Sequence, residues 1–167
     1  DDGYDVAIRL GALKDSTLVA RKLAVNRRVL CCSPAYLAER GTPRHPADLA
    51  QHECVILGNQ RDWSFATPQG PLTVRVAGRL VASNGEAIRE ALVDGFGIAI
   101  KSTWDVGPLL ASGALVTVLD DYPFADDVAI WAVYPSRAHV PLKTLAFISF
   151  LAEHFGDPPY WDRVDGQ

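Results

Sequence analysis

The sequence predicts an α/β fold divided into two lobes. Three observations carry that expectation. Short apolar strands alternate with helix signatures along most of the chain. A turn-rich pair of strands interrupts the alternation near the middle. The segments 28–33 and 134–137 bracket that middle stretch, so the chain leaves one lobe through the first and re-enters it through the second. The alternation predicts a largely parallel sheet, and 167 residues give room for two small lobes.

Asp5-Val6-Ala7-Ile8-Arg9-Leu10-Gly11 predicts a buried strand with a charge near its end. An unpaired buried charge is costly, so Arg9 calls for a structural carboxylate or a bound anion. A domain rarely begins with a core strand, and the chain holds no Met, so further sequence is expected before Asp1. Arg27–Cys32 predicts a second strand. Ser33-Pro34 opens a short helix, with serine as N-cap and proline in the first turn, and Gly41-Thr42-Pro43 stops it. Pro46–Ala50 predicts a helical turn and Cys54–Leu57 a strand.

Trp63–Ala66 and Leu72–Val76 flank the turn 67–71, and Gly78–Ala82 continues extended. Ser83 and Glu86 have capping-box spacing ahead of a helix over 87–94, which Gly95 closes. A strand over 96–100, a helix over 106–112 and strands over 115–119 and 128–134 follow. Pro141 opens a last helix reaching about Phe155, with Leu142, Leu145, Ile148, Leu151 and Phe155 on one face. Trp131 is expected in the core, and the tail from Gly156 is expected to fray.

The formal net charge of −4 argues against this chain gripping a nucleic-acid backbone itself. Three cysteines, two of them adjacent, do not suggest a disulfide framework. Cys31 and Cys32 read as small apolar residues on opposite faces of a strand, kept reduced. No apolar run is long enough to cross a bilayer. His45, His52, His139 and His154 are scattered without metal-ligand spacing, and Asp120-Asp121 and Asp126-Asp127 read as solvated turn residues. Gly95-Phe96-Gly97 closes a helix and leads into a strand, the reverse of a dinucleotide fingerprint. No nucleophile–base set can be assembled, so neither an enzyme nor a cofactor is predicted.

Two places invite an anion. Arg9 offers a bidentate guanidinium. Ser83-Asn84-Gly85 opens a helix whose free amides and dipole favour negative charge, although Ser83 and Glu86 also read as a reciprocal cap.

The chain resembles the effector-binding domain of LysR-type transcriptional regulators. The resemblance is carried by Asp5–Gly11, Leu18–Leu23, Arg28–Leu37, Gly41-Thr42-Pro43 with Pro46–Leu49 and His52, Ser83–Ala87 and Gly95–Ile100, in order along almost the whole chain. It implies a fold like the type 2 periplasmic binding proteins: two Rossmann-like subdomains joined by two crossover strands, with the first subdomain incomplete here. The implied division is 1–30 with 136–167 as partial subdomain I and 31–135 as subdomain II. It implies a small, anionic effector, such as a carboxylate, in the cleft between lobes, with Arg9, Gly11, Cys32, Ser33, Ser83, Asn84 and Gly85 as contacts. It also implies a cytoplasmic homodimer or tetramer that reaches DNA through a helix-turn-helix domain outside this chain. The sequence departs from the pattern at its start and at Lys101-Ser102, where many members have proline after the strand. The lost neighbour of Asp5–Leu10 leaves an apolar edge, from which association between chains is expected. The rival reading is a transport solute-binding protein on the same fold; a two-lobed lyase is a third.

Overall fold

The computed structural model describes residues 4–11, 18–126, 128–135 and 140–163. In chain order the elements are β1 (Ala7–Gly11), β2 (Leu18–Val25), β3 (Arg28–Cys32), α1 (Pro34–Arg40), a 3-10 turn (Pro46–Gln51), β4 (Ile56–Leu57), β5 (Asp62–Phe65), β6 (Leu72–Arg75), β7 (Val81–Ala82), α2 (Gly85–Val93), β8 (Ala99–Ser102), α3 (Thr103–Ala111), β9 (Val116–Val118), β10 (Ala129–Pro135), α4 (Leu142–Phe155) and a 3-10 turn at Tyr160–Asp162. They form two compact units, Asp1–Arg27 with Asp127–Gln167, and Arg28–Asp126. The sequence division put 128–135 in the inserted lobe; β10 instead pairs with β1 and β2 of the terminal unit.

In the terminal unit β10 lies between β1 and β2, antiparallel to both. Its Ala129, Ile130, Ala132 and Val133 are buried. Ile130 and Ala132 pack with Leu23 and Ala24 of β2 and Ile148 of α4, which covers one face of the sheet. β2 carries no clear strand signal in the sequence, since Arg21 and Lys22 interrupt its apolar residues; pairing along the length of β10 holds it extended. β1 is not buried as expected. It lies at an edge of this sheet, and Ile8, Arg9 and Leu10 are exposed. α4 keeps the later part of its predicted face, with Ile148 buried and Leu151 and Phe155 packed against the same core; Leu142 and Leu145 are exposed, and Thr144 is buried in the first turn instead. The described residues of the tail are packed rather than frayed: Trp161 lies edge-on against Phe155 and Tyr160. Trp131 is half-buried rather than core, with its indole N–H donating to the Gly11 carbonyl at 3.0 Å.

The inserted unit is built around β3, antiparallel to β8 on one side and to β9 on the other. Alternate residues of β3 serve two cores, as the period of a strand requires. Leu30 and Cys32 pack with Tyr36, Leu49, Ile56, Trp63 and Phe65. Val29 and Cys31 pack with Ile88, Leu92, Ala99, Val106 and Leu115. The vicinal cysteines thus point to opposite faces and are free and buried. Burial pushes each of their thiols up to about 12; at Cys31, Cys32 and Asp105 further oppose ionisation while Lys101 favours it.

The parallel expectation holds in part. β4 and β7 are parallel, a parallel bridge joins Cys54 to Ile98, and β8 and β9 run the same way. β3 opposes them because it is the strand by which the chain enters the unit. The hairpin β5–β6 around 67–71 is antiparallel, as predicted.

Two helix starts separate local from tertiary signals. Ser33 caps α1, accepting from Tyr36 N–H at 3.3 Å. At α2 the cap is Asn84 rather than Ser83: its side-chain oxygen accepts from Glu86 N–H at 2.7 Å. Glu86 is drawn instead to Arg89 at 3.3 Å, one turn along the helix, so the reciprocal Ser83–Glu86 box does not form.

Gly97 marks a close approach. A Cβ there would lie 2.3 Å from the Glu53 carbonyl oxygen, which accepts the Ile98 N–H at 2.9 Å. Gly97→Ala is therefore expected to lower stability by about 2–3 kcal/mol, read from the denaturant midpoint; an unchanged midpoint contradicts this packing.

Tyr36 ties the same loop down. Its hydroxyl accepts from Glu53 N–H at 3.0 Å and meets His52 Nδ1 at 3.0 Å. With one lone pair engaged by the amide, the hydroxyl proton is best placed on a neutral imidazole. Burial holds His52 below the ordinary histidine value of 6.5, an effect Asp48 opposes and Arg40 reinforces. The unfolded state then binds more protons in mild acid, so this contribution is complete above about pH 6.5 and is lost as pH falls. Unfolding free energies measured at about pH 7.5 and about pH 5.5 are expected to differ less in His52→Gln than in the wild type.

Candidate functional site

In an open α/β sheet the carboxyl ends of parallel strands make a rim, because successive strands end there and their connections diverge. In the inserted unit that rim holds a cavity of about 120 Å³. Its lining comes from the end of β4 (Leu57), the end of β8 (Ile100, Lys101 and Ser102), the start of β3 (Arg28), and Trp63 and Ile88. Apolar walls with a few polar groups are the ordinary makeup of a small-molecule site.

Lys101 is the least expected of these residues. It follows Ile98-Ala99-Ile100, and its side chain is only 6 % exposed. Its long apolar stem suits burial, and two acceptors meet its ammonium, the Gly85 carbonyl at 2.7 Å and the Asp105 carboxylate in an ion pair. Asp105, 10 % exposed, lies one turn along on α3 and also accepts from Arg89 Nη1 at 2.6 Å. That bond, ahead of the opposing effect of burial, raises the Arg89 guanidinium above its ordinary value. Glu86 and Glu90 also pair with Arg89, both at 3.3 Å, but are largely exposed, so solvent screens them. The inner cluster thus sets two cations against one carboxylate. Arg28 is neutralised separately by Asp126 at 2.7 Å, and its guanidinium sits 4.6 Å from the centre of the Phe124 ring.

The residues singled out from the sequence are distributed as follows. Arg9 and Gly11 are on β1 of the terminal unit; Arg9 is exposed and has no ion pair among the described residues, and the Gly11 carbonyl is taken by Trp131. Cys32 and Ser33 are buried at the junction of β3 and α1. Ser83, Asn84 and Gly85 open α2, with Ser83 and Asn84 exposed. Of the seven, Cys32 shares a core with Trp63 of the cavity lining, and Gly85 accepts a hydrogen bond from Lys101, whose ammonium would lie 3.4 Å from a Cβ at position 85. Sequence reasoning missed Lys101, Asp105 and Arg89. The signal was present as a lysine interrupting an apolar strand four residues before an aspartate.

Among the described residues no group of His, Cys, Asp and Glu is arranged to hold a metal ion, and no helix is long and apolar enough to cross a membrane. His139 and Asp127 lie outside the described residues. Asp120 accepts from the Thr117 hydroxyl at 2.8 Å and Asp126 pairs with Arg28, both ordinary roles for polar turn residues.

Two α/β units, one of them with a small polar-rimmed cavity at its strand ends, have the makeup of a ligand-binding module. The chain belongs to the LysR substrate binding domain family, whose description matches residues 1–156. It is 38% identical over 162 residues to the HTH-type transcriptional regulator DmlR of Escherichia coli K12, covering 94% of this chain and 52% of DmlR. It is 34% identical over 156 residues to the HTH-type transcriptional activator TtdR of the same strain, covering 90% of this chain and 49% of TtdR. The structure is similar to the regulatory domain of CrgA, a LysR-type regulator from Neisseria meningitidis, with a TM-score of 0.79, 34% identity, and coverage of 91% of this chain and 76% of that one. The chain spans about half the length of the curated relatives it matches. These relatives are transcriptional regulators, not transporters or enzymes, and the two-subdomain α/β fold is that of LysR regulatory domains.

Removing Asp105 leaves Lys101 buried beside Arg89 with no counter-charge. Asp105→Ala is expected to cost about 3–5 kcal/mol by equilibrium unfolding, more than Glu90→Ala, whose pair is exposed. Equal small losses would contradict the buried cluster.

Proposed function

We propose that this chain is the effector-sensing part of a LysR-type transcriptional regulator and that its effector is a small organic anion, a carboxylate in the first instance, received in the cavity of the inserted unit. The observation that carries the reading is the cavity itself: about 120 Å³ at the carboxyl ends of parallel strands, with Lys101, Arg28 and Ser102 set among Val55, Trp63, Ile88 and Ile100. Binding is the whole of the chemistry; no bond is made or broken. The ligand acts by having unequal affinity for two arrangements of the regulator. Because the relatives are HTH-type regulators, the reading extends to a DNA-binding helix-turn-helix domain in the longer protein and to a homodimer or tetramer working in the cytoplasm.

The test is a thermal-shift panel of two- to six-carbon carboxylates, each beside its neutral amide. A ligand present at about a hundred times its dissociation constant adds about 2.7 kcal/mol, which for a chain of this size raises Tm by about 5 °C or more. At least one acid is expected to do so while its amide does not. No shift across the panel, or equal shifts from acid and amide, contradicts an anionic effector.

A further inference from the structure

The geometry points to Lys101 as the group that contacts the anion in this cavity, with Asp105 and Arg89 acting through it as positioning residues. This inference rests on the effector reading above and deepens it to a particular donor.

Three observations converge on Lys101. First, it lines the cavity while its side chain is almost wholly buried, so its charge meets little bulk water. A cation in such a place interacts strongly with any anion that enters. Second, an ammonium has three N–H donors. Two are accounted for among the described residues, by the Gly85 carbonyl and by Asp105. One donor is left for a ligand oxygen. Third, its counter-charge is divided. Asp105 is shared by Lys101 and Arg89, so the buried ammonium has no carboxylate to itself. The other two acids of the cluster, Glu86 and Glu90, pair with Arg89, face solvent and are weakened by screening.

Arg28 is a poorer donor, although it lines the same cavity. It is bound to the Asp126 carboxylate at 2.7 Å and the Asp126 carbonyl at 2.9 Å, so an anion would have to displace a partner already in place. Lys101 requires no displacement. Its ammonium is also held from two elements, α2 through Gly85 and α3 through Asp105, so it loses little freedom when a ligand binds. The class of ligand follows. One fixed ammonium among Val55, Trp63, Ile88 and Ile100 suits a compact acid with one carboxylate at Lys101 and an apolar or hydroxylated remainder against Trp63.

The experiment uses three probes, acetate, succinate and inorganic phosphate, on protein carrying carbon-13 at the lysine Cε positions. The chain has four lysines, Lys14, Lys22, Lys101 and Lys143, so the spectrum is readily assigned. At least one probe is expected to shift the Lys101 resonance saturably, leaving the other three unmoved. By titration calorimetry, Lys101→Met is expected to bind that probe at least tenfold more weakly. Arg89→Lys, which keeps the charge, is expected to stay within about twofold of wild type, and Arg89→Met to lose several-fold; a merely structural role for Arg89 predicts equal effects of the two. Equal affinity in wild type and Lys101→Met overturns the assignment while leaving the effector reading standing. Should Lys101→Met not fold, the wild-type spectrum decides: no shift of Lys101 with any of the three probes overturns the assignment, and the carboxylate panel then judges the effector reading independently.

Discussion

The burial of a lysine ammonium is the constraint on which the inserted unit turns. An ion removed from water costs several kcal/mol, and it stays buried only where fixed acceptors replace the lost hydration. For Lys101 those acceptors are the first carbonyl of α2 and the first-turn carboxylate of α3. The requirement therefore fixes two helix starts against one strand end. It also explains why α3 begins securely although Ser102 makes no side-chain cap: Asp105 puts negative charge in the first turn, where the helix dipole favours it. Arg89 extends the network back to α2, so the same carboxylate joins both helices through two cations.

Beneath this rim the structure is conventional and rigid. β3 is buried on both faces, and each side of it anchors a separate apolar core. Such a strand cannot shift without unpacking both. Function is consequently left to the edge of the sheet, where strands end and side chains meet open space. There the buried charge and the cavity coincide. Packed interiors hold geometry, and the rim exploits it.

What the sequence revealed, and what it hid, follows from the range of each signal. Ser33-Pro34 announces the start of α1 because an N-cap is decided within four residues, and the structure has that cap. The turn between β5 and β6 is legible for the same reason. β2 is not, because Arg21 and Lys22 mask a strand that is held by its pairing with β10. The direction of β3 is hidden too, since it depends on how the chain enters the unit and no local pattern records that. The candidate site shows the lesson most plainly. A charge in an apolar strand needs a partner, and in the sequence that rule points to Arg9. β1 is an edge strand, so Arg9 is hydrated and the rule does not bind there. Lys101 meets the same rule in a buried strand, and its partner lies one helical turn away at Asp105. Burial, which the sequence does not print, decides between the two.

At the rim of the inserted unit a buried ammonium, sharing its carboxylate with Arg89, is available to an anion. Anomalous diffraction from crystals of the protein soaked in bromide tests it most directly, because bromide has charge without the shape of any particular effector. An ordered bromide is expected inside the cavity in contact with the Lys101 ammonium. Ordered bromide elsewhere on the protein with none in the cavity, or bromide seated against Arg28 and away from Lys101, would contradict it.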